Sequence, residues 1–369
     1  QKAKQLLKKA LIREPEKINL LLEYADLLYS KQSFELALIC YKKALTINPT
    51  ETRAQANIAE SLAELQRPHE ALSFIEMALS RNPNSKQLAL NRALTLLSLK
   101  KYKEGWHAYE ARLSDEIDEA PKRLINIPRW TSQSLTNKTI LVCSEQGVGD
   151  ELLFSAYLPK LAPLAKRIIV ETDPRLVPLF SRSFENLEIH PYSRRVSGTR
   201  VIYDYHWLKQ CRAYPDLFVE AASLPYFLKE THKESVAITP HLKDDINSTK
   251  VWKNRLKKIS NGKPLIGLFW RSSLYTNDRK HFYPTIDLWQ PILSLKNVKF
   301  LSLQFDDDSH DISLVKQLFG VNILKVDGIN LRNDFDEIAS LCKGLIGVIA
   351  PSTTTAHLSG SVGTKTIVI

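Results

Sequence analysis

Ile349-Ala350-Pro351-Ser352-Thr353-Thr354-Thr355-Ala356-His357-Leu358 lies close to the end of the chain. It reads as the close of a buried strand that starts near Gly344, a proline break, a run of hydroxyl side chains and the opening of a helix. A helix start carries unpaired backbone N–H groups and the positive end of the peptide dipole, so it suits a phosphate. Thr353, Thr354 and Thr355 add hydroxyl donors, and His357 faces the same anion from the first turn. A plainer reading stands beside this one: Ser352 or Thr353 is an N-cap and His357 an ordinary half-buried histidine.

Upstream, the same strand-then-helix alternation recurs. Residues 243–369 carry apolar strands at 265–270, 298–304 and 321–324, followed by Asp334 and Glu337 spaced as a capping box ahead of a helix through Leu341. Residues 138–242 carry a first series, with strands at 139–143, 167–171, 187–190 and 200–205. Strands separated by helix-length segments predict parallel sheets covered on both faces. Two such sheets in tandem place a ligand cleft at the carboxyl ends of the strands.

The first strand runs into Ser144-Glu145-Gln146-Gly147-Val148-Gly149-Asp150. A dinucleotide fingerprint is excluded, because Leu152 stands where the third glycine must let helix and strand touch. No phosphate-cradling P-loop is present either. Gln146, Gly147 and Gly149 instead predict a tight turn that exposes Asp150 at the start of a helix. A carboxylate there can act as a general base, kept ionised by the helix dipole, or can simply cap the helix. Arg271, just past a strand end, is either an extra cation for the same anion or a surface arginine. Gln304 ends the next strand on that edge and is within reach of a nucleotide base. Asp306-Asp307-Asp308 imitates a metal-binding D-x-D, with a solvated acidic loop as the expected reading. His190, His206, His232, His241 and His310 form no ligand-spaced pair and receive no role.

The front third is helical and periodic, with a register of about 34 residues. Ala3, Ala37, Ala71 and Gly105 align, as do Leu7, Tyr41, Ile75 and Tyr109, and Ala10, Ala44 and Ala78. Ala25, Ala59 and Ala93 mark the other helix of each pair, with Leu28, Leu62 and Leu96 one turn on. Pro15, Pro49 and Pro83 close the units. Small residues let antiparallel helices approach and proline stops the second helix. The array resembles the tetratricopeptide repeat family over residues 1–113, which implies a superhelix whose concave face receives an extended peptide or partner protein. A helical spacer is the alternative. Gln1 enters part-way through a repeat, so further units are expected before it. Residues 114–137 read as a connector, with Trp106, Tyr109 and Trp130 packing the array onto the rest.

The 369 residues carry a net charge of +11, with 44% hydrophobic and 25% charged residues, as in a soluble multidomain protein. No apolar run is long enough to span a bilayer, and no signal peptide is visible, so a cytoplasmic location is expected. Cys40, Cys143, Cys211 and Cys342 stand apart among apolar neighbours, as reduced buried thiols do. The basic balance suits a phosphorylated substrate. Without a basic stripe interleaved with aromatics, nucleic acid is not expected.

Gly149-Asp150 with the helix holding Phe154-Ser155-Ala156-Tyr157-Leu158-Pro159 resembles the opening of the heptosyltransferase-like glycosyltransferases. Asn277-Asp278-Arg279-Lys280-His281-Phe282-Tyr283-Pro284 resembles their donor-phosphate loop. Thr353 through Gly363 resembles their threonine/serine-x-x-His-Leu-Ala-Gly-Ala-Leu-Gly motif. The resemblance implies a two-lobed, twin Rossmann-like GT-B fold and inverting transfer from a nucleotide-diphosphate sugar, with no metal and no cofactor. It implies Asp150 as the base, with Lys280, Thr353–Thr355 and His357 compensating charge on the departing diphosphate. Ser352 replaces an acidic residue that often holds donor sugar hydroxyls, so no heptose donor is inherited. The donor lobe ends soon after Gly363, earlier than the resemblance implies, and weak or absent turnover is expected from a chain that stops there.

The expected overall plan is thus α plus α/β: a helical solenoid followed by a two-lobed glycosyltransferase. The expected function is glycosylation of a protein or peptide hydroxyl recruited by the repeats, and the array itself is of a kind that self-associates. The alternative is a non-catalytic scaffold with a degenerate nucleotide-binding domain. A sugar-nucleotide epimerase is a third option, in which a peptide-binding array has no evident purpose.

Overall fold

The computed structural model describes residues 2–118, 120–228, 240–272 and 283–369. The chain divides into two compact units: 1–122 with 195–202 and 225–235, and 123–194 with 203–224 and 236–369.

The first unit is built from seven helices: α1 (Lys2–Arg13), α2 (Ile18–Tyr29), α3 (Phe34–Ile47), α4 (Thr52–Glu64), α5 (Pro68–Arg81), α6 (Lys86–Ser98) and α7 (Tyr102–Tyr109). The aligned small residues lie at the helix crossings: Ala25, Ala37, Ala71 and Ala93 are fully buried, with Leu28, Leu62 and Leu96 beside them. Where the column changes to Gly105, a methyl group would sit 2.8 Å from Leu97 Cδ2 and 3.2 Å from Leu97 N, so alanine no longer fits. Each helix pair turns through a left-handed residue, Gln32, Gln66 or Lys100. The next amide donates to the carbonyl of the aligned leucine, from Ser33 to Leu28, Arg67 to Leu62 and Lys101 to Leu96, each at 2.9 Å. This is a Schellman closure made without glycine. Trp106 and Tyr109 meet edge to face at 5.8 Å within this unit.

Among the described residues twelve strands follow: β1 (Lys122–Leu124), β2 (Thr139–Cys143), β3 (Arg167–Thr172), β4 (Glu188–Pro191), β5 (Ser193–Ser197), β6 (Arg200–Asp204), β7 (Leu217–Glu220), β8 (Leu265–Leu268), β9 (Lys299–Ser302), β10 (Ile323–Leu324), β11 (Gly347–Ala350) and β12 (Thr366–Val368). The second unit holds two parallel sheets, ordered β4-β3-β2-β7 and β10-β9-β8-β11-β12. β2 is buried at all five residues, as a continuous apolar run in the middle of a parallel sheet must be. Ile266, Leu268, Trp270, Trp289, Phe300 and Ile349 centre the core of the second sheet.

Both sheets start at a central strand, step outward on one side and then jump across the start. The order therefore reverses between β2 and β7, and again between β8 and β11. A crevice opens at the carboxyl ends of the strands at such switch points.

Three expectations change. The strand read at 200–205 is outside the parallel sheet: Arg200–Asp204 belongs to a separate three-stranded sheet, and the fourth parallel strand is Leu217–Glu220. Apolar content is similar in both segments, but Gly198 at φ 63° turns the chain into a hairpin before Arg200. Asp334 makes no side-chain cap and instead accepts from the Asn330 amide at 2.9 Å. Its intended partner Glu337 accepts from Trp252 Nε1 and Ser248 Oγ, both at 2.7 Å, so no capping box forms. Trp130, placed in the connector, is buried in the second unit, with Nε1 donating to the Gln133 carbonyl at 2.8 Å.

Candidate active site

Past Cys143 the chain turns through Gln146, which adopts left-handed backbone at φ 59°, and enters the helix Val148–Phe154 through Gly147. The turn was expected from the glycines, yet neither Gly147 nor Gly149 takes a positive φ. Buried charge holds this loop. Arg123 Nη1 donates to Glu171 Oε2 at 3.1 Å and to Tyr205 Oη at 2.6 Å, and Nη2 donates to the Ser144 carbonyl. Glu171 Oε2 also accepts from the Ser144 amide at 3.0 Å. On the other side, Glu145 accepts from the Ala222 amide at 3.1 Å, just past β7.

Asp150 is the third residue of that helix, and its Oδ2 accepts from the Gly147 amide at 3.1 Å. Burial pushes its carboxyl above the usual aspartate range, against the pull of the Gly147 amide and His357. In setting the direction of this shift, desolvation outweighs the helix end and its donors. The result is a stronger base than a solvated aspartate. The next residue, Glu151, is buried, accepts from Thr172 Oγ1 at 2.6 Å and the Asp173 amide at 2.8 Å, and is raised to about 8 by burial.

The threonine loop stands at the other switch point. Thr353 is the N-cap of the helix Thr354–Ser361, but its hydroxyl makes no capping bond and donates to the Pro351 carbonyl at 3.1 Å. The first-turn amides of this helix therefore lack a side-chain cap, as anion binding at a helix start requires. Thr355 is half-buried on that turn and Ser352 is exposed. His357 is held below the ordinary histidine range by burial, with Asp150 opposing the shift. It presents a neutral imidazole at neutral pH.

The two loops meet. A Cβ added at Gly149 would lie 3.4 Å from both His357 Cδ2 and Thr354 Oγ1. Gly149 marks where the two loops approach, and a methyl group there would make ordinary van der Waals contact with both side chains. Beyond this contact, Arg182 binds Asp336 with two nitrogens, one at 3.1 Å, and donates to the Lys243 carbonyl at 3.0 Å. His241 Nε2 is 2.8 Å from Ser155 Oγ, while the His241 and Leu242 amides reach the Ser361 carbonyl. The chain crossing from one sheet to the other is thus tied to both helices. Arg123, Glu171, Glu151 and His241 all carry the site's geometry, and none has a local sequence signal.

Other expected residues are engaged elsewhere. Arg271 pairs with Asp311 and, at 3.3 Å, Asp306, and donates to the Asp307 carbonyl at 2.8 Å. Its charge is neutralised inside the lobe. Gln304 is buried, with Oε1 accepting from the Trp270 and Arg271 amides and Nε2 donating to the Arg271 carbonyl and Asp306. That side chain joins two strand ends and has no polar atom left for a base. Asp308 is fully buried and accepts from Ser302 Oγ and from Lys325 Nζ at 2.6 Å, whereas Asp306 is half-buried and Asp307 exposed, so only part of the acidic run is solvated as expected. Lys280, with its loop 277–282, lies outside the described residues.

Over 267 residues the chain is 32% identical to Protein FlbA of Caulobacter vibrioides, a match covering 71% of this chain and 44% of that protein. The chain thus spans less than half the length of this relative. No family model matches the chain. Among solved structures, MamA MSR-1 C2 is 20% identical at a TM-score of 0.28, covering 32% of this chain and 66% of that one. MamA 41-end from Desulfovibrio magneticus RS-1 is 17% identical at 0.30, covering 32% and 67%. The first TPR of Spaghetti (RPAP3) bound to HSP90 peptide SRMEEVD is 23% identical at 0.26, covering 26% and 77%.

Proposed function

We propose that the second unit is an inverting glycosyltransferase that moves a sugar from a nucleotide-diphosphate sugar to a hydroxyl of a protein or peptide held by the helical repeats. The observation that carries this reading is the meeting of two helix starts at two switch points, one bearing Asp150 and the other Thr354 and His357. Two positive helix ends facing one space favour a multiply charged anion there. Asp150 removes the acceptor hydroxyl proton as that oxygen attacks the anomeric carbon. The bond from that carbon to the diphosphate oxygen breaks on the opposite face. Charge growing on the leaving group meets the Thr353–Thr355 amides, the Thr354 and Thr355 hydroxyls and the His357 N–H, donors already in place before the reaction.

A second reading has its own support. Arg271 and Gln304 are spent internally, which fits a domain that binds a nucleotide or partner without turnover. Titration calorimetry with UDP, GDP, ADP and CMP tests the transferase reading. It requires one of the four to bind the full chain, and four flat traces would overturn it in favour of a scaffold.

A further inference from the structure

We propose that Glu188, His190 and Cys211 form a zinc site that pins the turn at residues 206–211 against the outer strand of the first sheet. Glu188 and His190 are alternate residues of β4, so the two-residue period of a strand sends both side chains to one face. Cys211 follows the helical turn His206–Gln210 and returns to that face. The carboxylate oxygen, imidazole nitrogen and thiol sulfur all lie within 4.8 Å of one another.

The spacing suits a small tetrahedral cation. His190 Nε2 is 3.1 Å from Glu188 Oε1 and 3.6 Å from Cys211 Sγ. Zinc bonds of about 2.0–2.3 Å at tetrahedral angles separate ligand atoms by roughly 3.3–3.6 Å. The trio is therefore close to liganding geometry already. One sulfur, one nitrogen and one oxygen donor match zinc rather than magnesium or calcium, which take oxygen alone. A thiolate and a carboxylate together cancel the charge of a dication.

The surroundings fix the ligands. The Arg212 amide donates to Glu188 Oε1 at 3.1 Å, and the His190 ring stacks on Trp207 at 5.0 Å and 22°. Glu188 Oε2 is buried without a hydrogen-bond partner, with Arg167 Nη1 no nearer than 3.9 Å, so this carboxylate has unmet binding capacity. A cysteine thiol is ordinarily protonated at neutral pH. On binding, the S–H bond breaks, an S–Zn bond forms and one proton passes to solvent, with no change of oxidation state. Solvent takes the fourth position. β4 is an outer strand, two strands from the β2–β7 switch point, and an outer strand needs cover. The site therefore lies apart from that switch point and is independent of sugar transfer.

The full chain, stripped of metal by a chelator, should bind one equivalent of Co2+ with a sulfur-to-metal charge-transfer band and a tetrahedral visible spectrum. Zn2+ should bleach both and raise the melting temperature. Cys211→Ser should lose the charge-transfer band and weaken Zn2+ by at least about tenfold. A wild-type chain that shows no such band, or a folded Cys211→Ser that binds Zn2+ as tightly as wild type, would overturn the site. If Cys211→Ser fails to fold, the wild-type cobalt spectrum alone decides.

Discussion

Residues 144–150 and 351–357 both leave the carboxyl end of a central parallel strand and enter a helix, yet they are held differently. The first is bound on every side: Arg123 and Glu171 grip Ser144, the Ala222 amide grips Glu145, and the Gly147 amide fixes Asp150. The second has no side-chain cap, and its threonine hydroxyl turns back to Pro351. A base that must meet a hydroxyl at one angle needs a fixed mount. A site for a diphosphate needs unspent donors that the anion itself can satisfy. On the proposed reading, the contrast makes the first loop a mount and the second a socket.

The sharpest break of this contrast is Asp150→Asn. If the first loop carries the base, turnover falls by about 10²–10⁴-fold while nucleotide affinity stays nearly unchanged. Because burial raises the Asp150 carboxyl, kcat/KM should rise with pH through a value above the ordinary aspartate range, and the variant should lose that limb. A variant with wild-type turnover removes Asp150 from the mechanism.

Next in size is Arg123→Met. It leaves Glu171 buried beside Ser144 with no counter-charge, and should cost about 3–5 kcal/mol in urea unfolding. Adding Glu171→Gln should recover much of that loss, since the uncompensated charge is gone. Loss of equal size in single and double variants would mean that shape, not charge, holds the mount.

The socket is tested by protons. Burial lowers His357 below the ordinary histidine value, whereas a bound diphosphate favours the imidazolium and lifts it back. Between the lowered and the lifted value, nucleotide binding takes up a proton, so affinity should strengthen as pH falls through that window, by up to about tenfold per unit. Calorimetry in buffers of different ionisation enthalpy reads the uptake directly, and His357→Gln should abolish it. Uptake that persists in the variant places the titrating group elsewhere.

Much of this frame is legible in the sequence, for a physical reason. Central parallel strands are buried on both faces, so β2, β8 and β11 appear as nearly continuous apolar runs and β3 as the shorter run Ile168–Val170. The helical columns are legible because each buried alanine recurs in register. What is not legible depends on distance across the fold. Arg123 and Glu171 lie 48 positions apart, and no local pattern joins them. Glu188, His190 and Cys211 show no ligand spacing, because a strand and a returning turn bring them together. Arg271 and Gln304 follow the strands that end at Leu268 and Ser302, and their partners Asp306 and Asp311 decide where they point.

The smallest effect separates the loops by backbone alone. Gln146 holds left-handed geometry at φ 59°, whereas Thr353 sits at an ordinary extended φ of −141°. A side chain in the left-handed region costs about 1–2 kcal/mol, and glycine avoids this but loses about 0.5–1 kcal/mol of chain entropy on folding. Gln146→Gly should therefore stabilise the fold by up to about 1 kcal/mol, while Thr353→Gly should destabilise it. Thermal unfolding of the two single variants reads both signs. Equal effects at the two positions would show that the mount carries no backbone strain, and the contrast between the loops would then rest on buried charge alone.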